Sequence, residues 1–260
     1  MPWYVLLLVF AGSSLYSQRT LFPNFDTRSR SLGGAGLTSV GVDALWTNPA
    51  GLSNTERTAA AASAEQRFGI NDLTIASVGI VLPQGFGARL ASFTLPGYAE
   101  QRTGIGYGRR LTERWSIGTE LDFYNQTTHG YGSKRQLAAG LGMHYQAIAD
   151  LTLAVRLYHP FARKGHSPRI SLGTAYRLSG QLLLLLEWER FRQGNAWRAG
   201  IEYQPDPSIS LRAGVIGATG ELSLGIGYRV LRRFELNAAA VAHARLGVSP
   251  SVGIVLRPEP

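Results

Sequence analysis

The amino-acid sequence predicts an all-β fold, a transmembrane antiparallel up-and-down β-barrel of about fourteen strands with a short N-terminal plug segment. Three observations carry that prediction. From about residue 57 to residue 257 the chain falls into segments of roughly ten residues in which apolar positions alternate with small or polar ones. Charged residues make up 17% and the mean hydropathy is −0.03. A soluble domain carries about a quarter charged residues, and a helical membrane protein needs runs of about 20 apolar residues. No such run follows the N-terminus; Leu182–Leu186 is cut at once by Glu187. Intermediate hydropathy is what a membrane barrel produces, since one strand face meets lipid and the other a polar interior.

Residues 1–18 (MPWYVLLLVFAGSSLYSQ) read as an export leader, with an apolar core from Val5 to Ala11 followed by small and polar residues. No Lys or Arg precedes that core, which leaves a buried N-terminal strand as the other reading. Residues 19–56 form the expected plug, and residues 57–258 the barrel. The plug holds a glycine-rich turn at Gly33, Gly34 and Gly36, then Asp43, then Asn48-Pro49-Ala50-Gly51. Asn before Pro favours a turn, and Pro opens a helical turn well. Glycines allow close backbone contact, so this piece suits the inside of a barrel mouth. Its spacing is not that of a phosphate loop.

Strands are expected near 57–68, 71–83, 86–95, 98–111, 114–125, 133–147, 150–159, 168–178, 181–192, 195–204, 207–216, 219–230, 232–245 and 248–257. In Glu221–Val230, Leu222, Leu224, Ile226 and Tyr228 take one face while Glu221, Ser223, Gly225, Gly227 and Arg229 take the other. The connections test the count. With both barrel ends on the periplasmic side, the long ones, Asn125–Lys134 and His159–Pro168, are the fifth and seventh and fall outside. The even-numbered ones are tight, as bacterial barrels require. A soluble β-sandwich also alternates, but it would put this apolar face inward and leave its Gly- and Ala-rich face in water.

Aromatic residues near strand ends on the apolar face, Trp115, Tyr176, Trp188, Trp197, Tyr203 and Tyr228 with Phe123 and Phe234, match a girdle at each water–lipid boundary. The opposite face carries charges of both signs: Arg102, Glu120, Asp122, Arg156, Arg177, Glu187, Arg198, Glu202, Arg212, Glu221 and Arg229. Two readings stand. They form a selectivity lining, or they form an ion-pair network that fills a narrow lumen, and the near balance of signs favours the network.

The stretch S-L-G-G-A-G at Ser31–Gly36, Asp43-Ala44 and N-P-A-G-L at Asn48–Leu52 resembles the FadL-like outer-membrane barrels. It most closely resembles the PorV/PorQ group of the Bacteroidetes type IX secretion system. Gly200–Pro205, Leu211–Gly214 and Leu224–Arg229 extend the likeness over most of the mature chain. The resemblance implies fourteen strands, an N-terminal segment that plugs or lines the lumen, and an accessory role in protein secretion or envelope assembly. The alternative it implies is transport of small hydrophobic molecules across the outer membrane. The expected partners are outer-membrane lipid, envelope or secretion proteins, and a small hydrophobic ligand.

No catalytic, metal or cofactor site is expected. The five histidines have no metal-ligand spacing, cysteine is absent, and no serine sits in a nucleophile context. The net charge of +9 is spread over turns and alternate strand positions, which fits lipid phosphates and excludes a nucleic-acid face.

Overall fold

A computed structural model describes residues 26–159, 168–191, 194–217, 219–231 and 233–257. The leader read at residues 1–18, and the first residues of the plug, lie outside the described residues. Fourteen strands form one closed antiparallel barrel. They are β1 Ala59–Gln66, β2 Thr74–Leu82, β3 Phe86–Leu95, β4 Tyr98–Arg110, β5 Trp115–Thr128, β6 Gly132–Ile148 and β7 Leu151–Tyr158. The second half holds β8 Arg169–Ser179, β9 Leu182–Phe191, β10 Gly194–Asp206, β11 Ile209–Ile216, β12 Glu221–Val230, β13 Phe234–His243 and β14 Gly247–Leu256. Each strand pairs with its neighbours in sequence, and β1 closes on β14 from Ala60↔Leu256 to Glu65↔Ser251. Closure leaves no strand edge to be satisfied in lipid.

The two faces separate as a period of two demands. On β12, Leu222, Leu224, Ile226 and Tyr228 point out, and Leu224 is 67% exposed; Glu221 and Ser223 are buried within. β2, whose sequence alternates ambiguously, alternates cleanly in burial, with Ile75, Ser77, Gly79 and Val81 inside. Among the described residues no helix is long and apolar enough to cross a membrane.

One expected loop is mostly strand. The sequence pattern predicts a long outer connection over residues 125–134, yet β5 runs to Thr128, β6 starts at Gly132, and the turn is only residues 129–131. The pair Thr128↔Gly132 closes it, Gly130 and Gly132 take positive φ, and Thr127 Oγ1 and Ser133 Oγ lie 3.0 Å apart across the strands. Water meets both faces of this hairpin tip, so hydrophobic alternation is silent there while the ladder continues. For the other long connection, β7 ends at Tyr158 and β8 begins at Arg169, and residues 160–167 lie outside the described residues.

Residues 26–55 lie within the ring of strands. They comprise α1 (Thr27–Ser31) and two 3-10 turns, Gly41–Trp46 and Pro49–Asn54. Leu45, Trp46 and Leu52 meet Ile75, Val81 and Phe93 of the barrel wall in an apolar cluster, while Leu32 and Ala35 pack with Ala175 and Leu185. The core of this protein is therefore the interior of the barrel, not its outer face.

Candidate functional site: the filled lumen and its mouth

The N-terminal segment is fitted to a wall with its side chains removed. Several inward strand positions that the segment touches carry glycine. A Cβ at Gly214 would overlap the backbone of Leu32 and Gly33, one at Gly118 the backbone of Pro49 and Ala50, and one at Gly142 the side chain of Asn48. Leu45 sits against Gly79 and Gly87, and Leu37 against Gly173. The segment has matching local signals. Asp26 caps α1 through Ser29, whose N–H and Oγ each lie 2.6 Å from its carboxylate. Gly33 and Gly34 then turn the chain at φ 68° and 78°, a conformation that L side chains adopt rarely. The N–H of Gly33 donates to Ser223 Oγ at 2.8 Å, and that hydroxyl donates to Ser31 O at 3.0 Å.

Asn48 works in both directions. Its Oδ1 accepts from the Ala50 N–H at 3.1 Å, and its Nδ2 donates to the Val155 carbonyl at 3.2 Å, so one side chain caps a turn and ties it to the wall. Pro49 opens that turn, Ala50 is fully buried, and Gly51 is pressed against Ser39 O and Ala44. Gly36 packs on Ser29 and Thr47, and its N–H, with that of Leu37, donates to Glu187. His144 Nε2 lies 2.8 Å from Leu37 O.

Ion pairs complete the filling. In one knot Asp122, fully buried, accepts from Arg89 and Arg102 at 2.7 Å each and from the Tyr158 hydroxyl at 2.8 Å. Glu120 pairs with Arg89, and with Arg156 at 2.7 Å. Tyr124 and Tyr158 share a 2.6 Å hydrogen bond, and the Arg156 guanidinium lies 4.6 Å over the Tyr158 ring. In a second knot Arg198 bridges Glu187 and Glu189. A third joins the segment to the wall: Arg28 grips Glu202 at 3.0 and 3.1 Å, Arg212 reaches the same carboxylate at 2.6 Å, and Asp43 takes Arg257 at 3.0 Å. Arg30 holds Glu65 at 2.6 and 2.9 Å. Glu221 is buried on the inner face of β12. Arg177 and Arg229 also lie on inner-face positions, but are exposed at the end where β1 begins and β14 ends.

Two carboxyls of the segment respond in opposite ways. Burial, with the nearby Asp43 charge, pushes Asp26 up to about 6. Burial acts on Asp43 in the same sense, but the Arg257 and Arg28 guanidiniums outweigh it and hold that carboxyl below its ordinary range.

Around this mouth of the barrel lies a cavity of about 390 Å³, open to that end. On the outside, Trp115, Tyr176, Tyr203 and Tyr228 are exposed near the same end, and Trp115 stacks on Tyr145 at 4.3 Å. Trp188 and Trp197 are half-buried outward-face partners in the β9–β10 register, set toward the opposite end.

Several site residues escaped the sequence reading. Arg89 and Glu65 are inner-face positions of their strands, so alternation carried the signal. Tyr124, of the same parity as Asp122, was legible in the same way. Arg28 and Arg30 lie in a segment without strand period, and no local pattern marks their partners. Among the described residues no cluster of His, Asp and Glu is arranged to hold a metal.

No protein-family model matches the sequence, and no curated protein matches it. Solved structures do share its fold. The CymD monoaromatic hydrocarbon channel superposes with a TM-score of 0.73 at 11% identity, over 89% of this chain and 97% of that one. The toluene transporter TbuX of Ralstonia pickettii gives 0.71 at 14% identity, over 90% and 98%. A FadL homologue of Pseudomonas aeruginosa gives 0.62 at 12%, over 90% and 97%. The chain has the fold of the FadL-type outer-membrane channels.

Proposed function

We propose that this protein is an outer-membrane barrel that passes small hydrophobic molecules, with residues 26–54 acting as the plug of the lumen. The observation that carries the reading is the shared fold with hydrocarbon channels over about nine-tenths of the chain. The outward apolar face supports the membrane setting. The exposed aromatics at the end where β1 begins act as lipid anchors there, and Trp188 and Trp197 do so toward the far side. Export by a cleaved leader belongs to the same reading. The inner charges act as packing for the plug rather than as a selectivity ring, because buried carboxylates such as Asp122, Glu120 and Glu202 are each paired with arginines.

The test is uptake of labelled toluene by cells of a barrel-deficient strain producing the full chain. Uptake above the empty-vector level, raised further by deleting residues 33–51, is the expected result. A correctly folded barrel with vector-level uptake in both forms sinks the reading.

A second reading rests on the filled lumen itself. A barrel so packed suits a scaffold that binds envelope or secretion proteins, the role implied by the PorV/PorQ resemblance. The comparisons lend support to the FadL-like half of that resemblance and none to the secretion half. A protein recovered in stoichiometric amount from detergent-solubilised membranes, together with absent uptake, favours the scaffold.

A further inference from the structure

The cavity at the mouth where β1 begins and β14 ends holds positive charge that its own walls do not neutralise. Three of its arginines are matched: Arg28 and Arg212 share Glu202, Arg212 also reaches Glu235 at 3.2 Å, and Arg257 lies between Asp43 and Glu235 at 3.0 and 3.3 Å. Those are three cations against three carboxylates. Arg229 comes only to 4.0 Å from Glu235, which the other two already occupy. Among the described residues, Arg177 makes no side-chain ion pair or hydrogen bond. The remaining acid on the wall, Asp150, sits on the exposed β6–β7 turn and pairs with neither.

Arg177 on β8 and Arg229 on β12 stand four strand steps apart, and the register sets Gly225 level with Arg177, so Arg229 lies four residues further along its strand and roughly 23 Å away along the wall, at about 4.8 Å per step and about 3.3 Å per residue. Both extend inward from the rim, and Gln204 and Ser210, hydrogen-bonded to each other at 3.3 Å, lie on the strands between them. The wall below is apolar at Ala175, Leu183 and Leu185. A space of about 390 Å³ is of small-molecule size. Two separated guanidiniums over an apolar floor match two separated anionic groups joined by an apolar spacer. We propose that this mouth is a binding site for an organic dianion, a dicarboxylate with an aliphatic spacer, held at its ends by Arg177 and Arg229. The site is independent of the transport reading, because occupancy needs no flux.

The experiment is calorimetric titration of the purified full chain in non-ionic detergent with suberate, and with octanoate as the single-headed control. Suberate binds saturably, octanoate binds about tenfold more weakly, and Arg177→Gln and Arg229→Gln each weaken suberate about tenfold, the loss of one charged hydrogen bond. Raising salt from about 0.02 M to about 0.5 M weakens it further. Both variants replace exposed rim residues, and an unchanged heat-modifiability shift on gels shows that each barrel is intact. Absence of saturable suberate binding overturns the proposal, as does equal affinity for octanoate or wild-type affinity in both variants. A two-glutamate peptide that binds where suberate does not also overturns it, and assigns the mouth to an acidic protein segment.

Discussion

Gly214 shows how little room the interior leaves. A Cβ there would overlap the backbone of Leu32 and Gly33, which no side-chain rotation relieves. Gly214→Ala therefore costs about 1–3 kcal/mol by overpacking, and loosens residues 26–54 so that trypsin reaches Arg28 and Arg30 faster. Gly180, where an added Cβ would meet nothing within 4 Å, is the control, and its alanine variant stays within about 0.5 kcal/mol. Asp26 offers a pH handle. Its folded-state value of about 6 lies above the ordinary 3.8. Between those values the folded chain binds more protons than the unfolded one, so this group's contribution to stability falls as pH rises from about 4 to about 6. Asp26→Asn keeps a capping side chain and removes that slope, read as the midpoint of heat-modifiability against pH. A variant as pH-dependent as the wild type in this window contradicts the assignment. Asp43 has the opposite sign: its contribution is present above the ordinary carboxylate value and fades in more acidic solution.

At the scale of a strand, the two faces predict different chemistry for the same substitution. Arg at Ile226 or Leu211, both exposed on the outer face, costs about 2–4 kcal/mol near the bilayer midplane. Arg at Gly225 meets Ser31 instead, and Arg at Ser210 enters the basic mouth, so lipid thickness affects the first pair and not the second. Folding titrations in bilayers of two thicknesses separate them, and equal dependence on both faces would contradict the outer face being in lipid. Within β5, Asp122→Asn leaves Arg89 and Arg102 with a halved counter-charge in a buried place. The expected loss is about 3–5 kcal/mol, larger than that of any single exposed pair. Strand existence and facing were legible in the sequence because both follow from a period of two. The tip of the β5–β6 hairpin was not, since water on both sides erases that period.

At the scale of the molecule, closure pairs β1 with β14, residues far apart in sequence, as in Ala60↔Leu256. Such pairing is slow to form, so removing β14 leaves β1 and β13 with open edges, and that chain is expected to fail the heat-modifiability shift altogether. The N-terminal segment meets strands from both halves of the ring, Gly33 at β12, Asn48 at β7 and Arg30 at β1. It thereby reports on closure as a whole.

By itself the sequence determined the barrel, its strand number, and which side of each strand meets lipid, because alternation and turn residues are local quantities written into consecutive positions. It also marked the glycine and Asn-Pro pieces of the segment before β1. Only the tertiary structure decided which glycine faces which residue of the N-terminal segment, which carboxylate each arginine takes, and that Arg177 and Arg229 stand exposed at the mouth. Those partners are 100 or more residues apart in cases such as Arg28 and Glu202, separated by 174 positions. Pairing across such distances is set by the curvature and register of the closed ring, which no local pattern encodes.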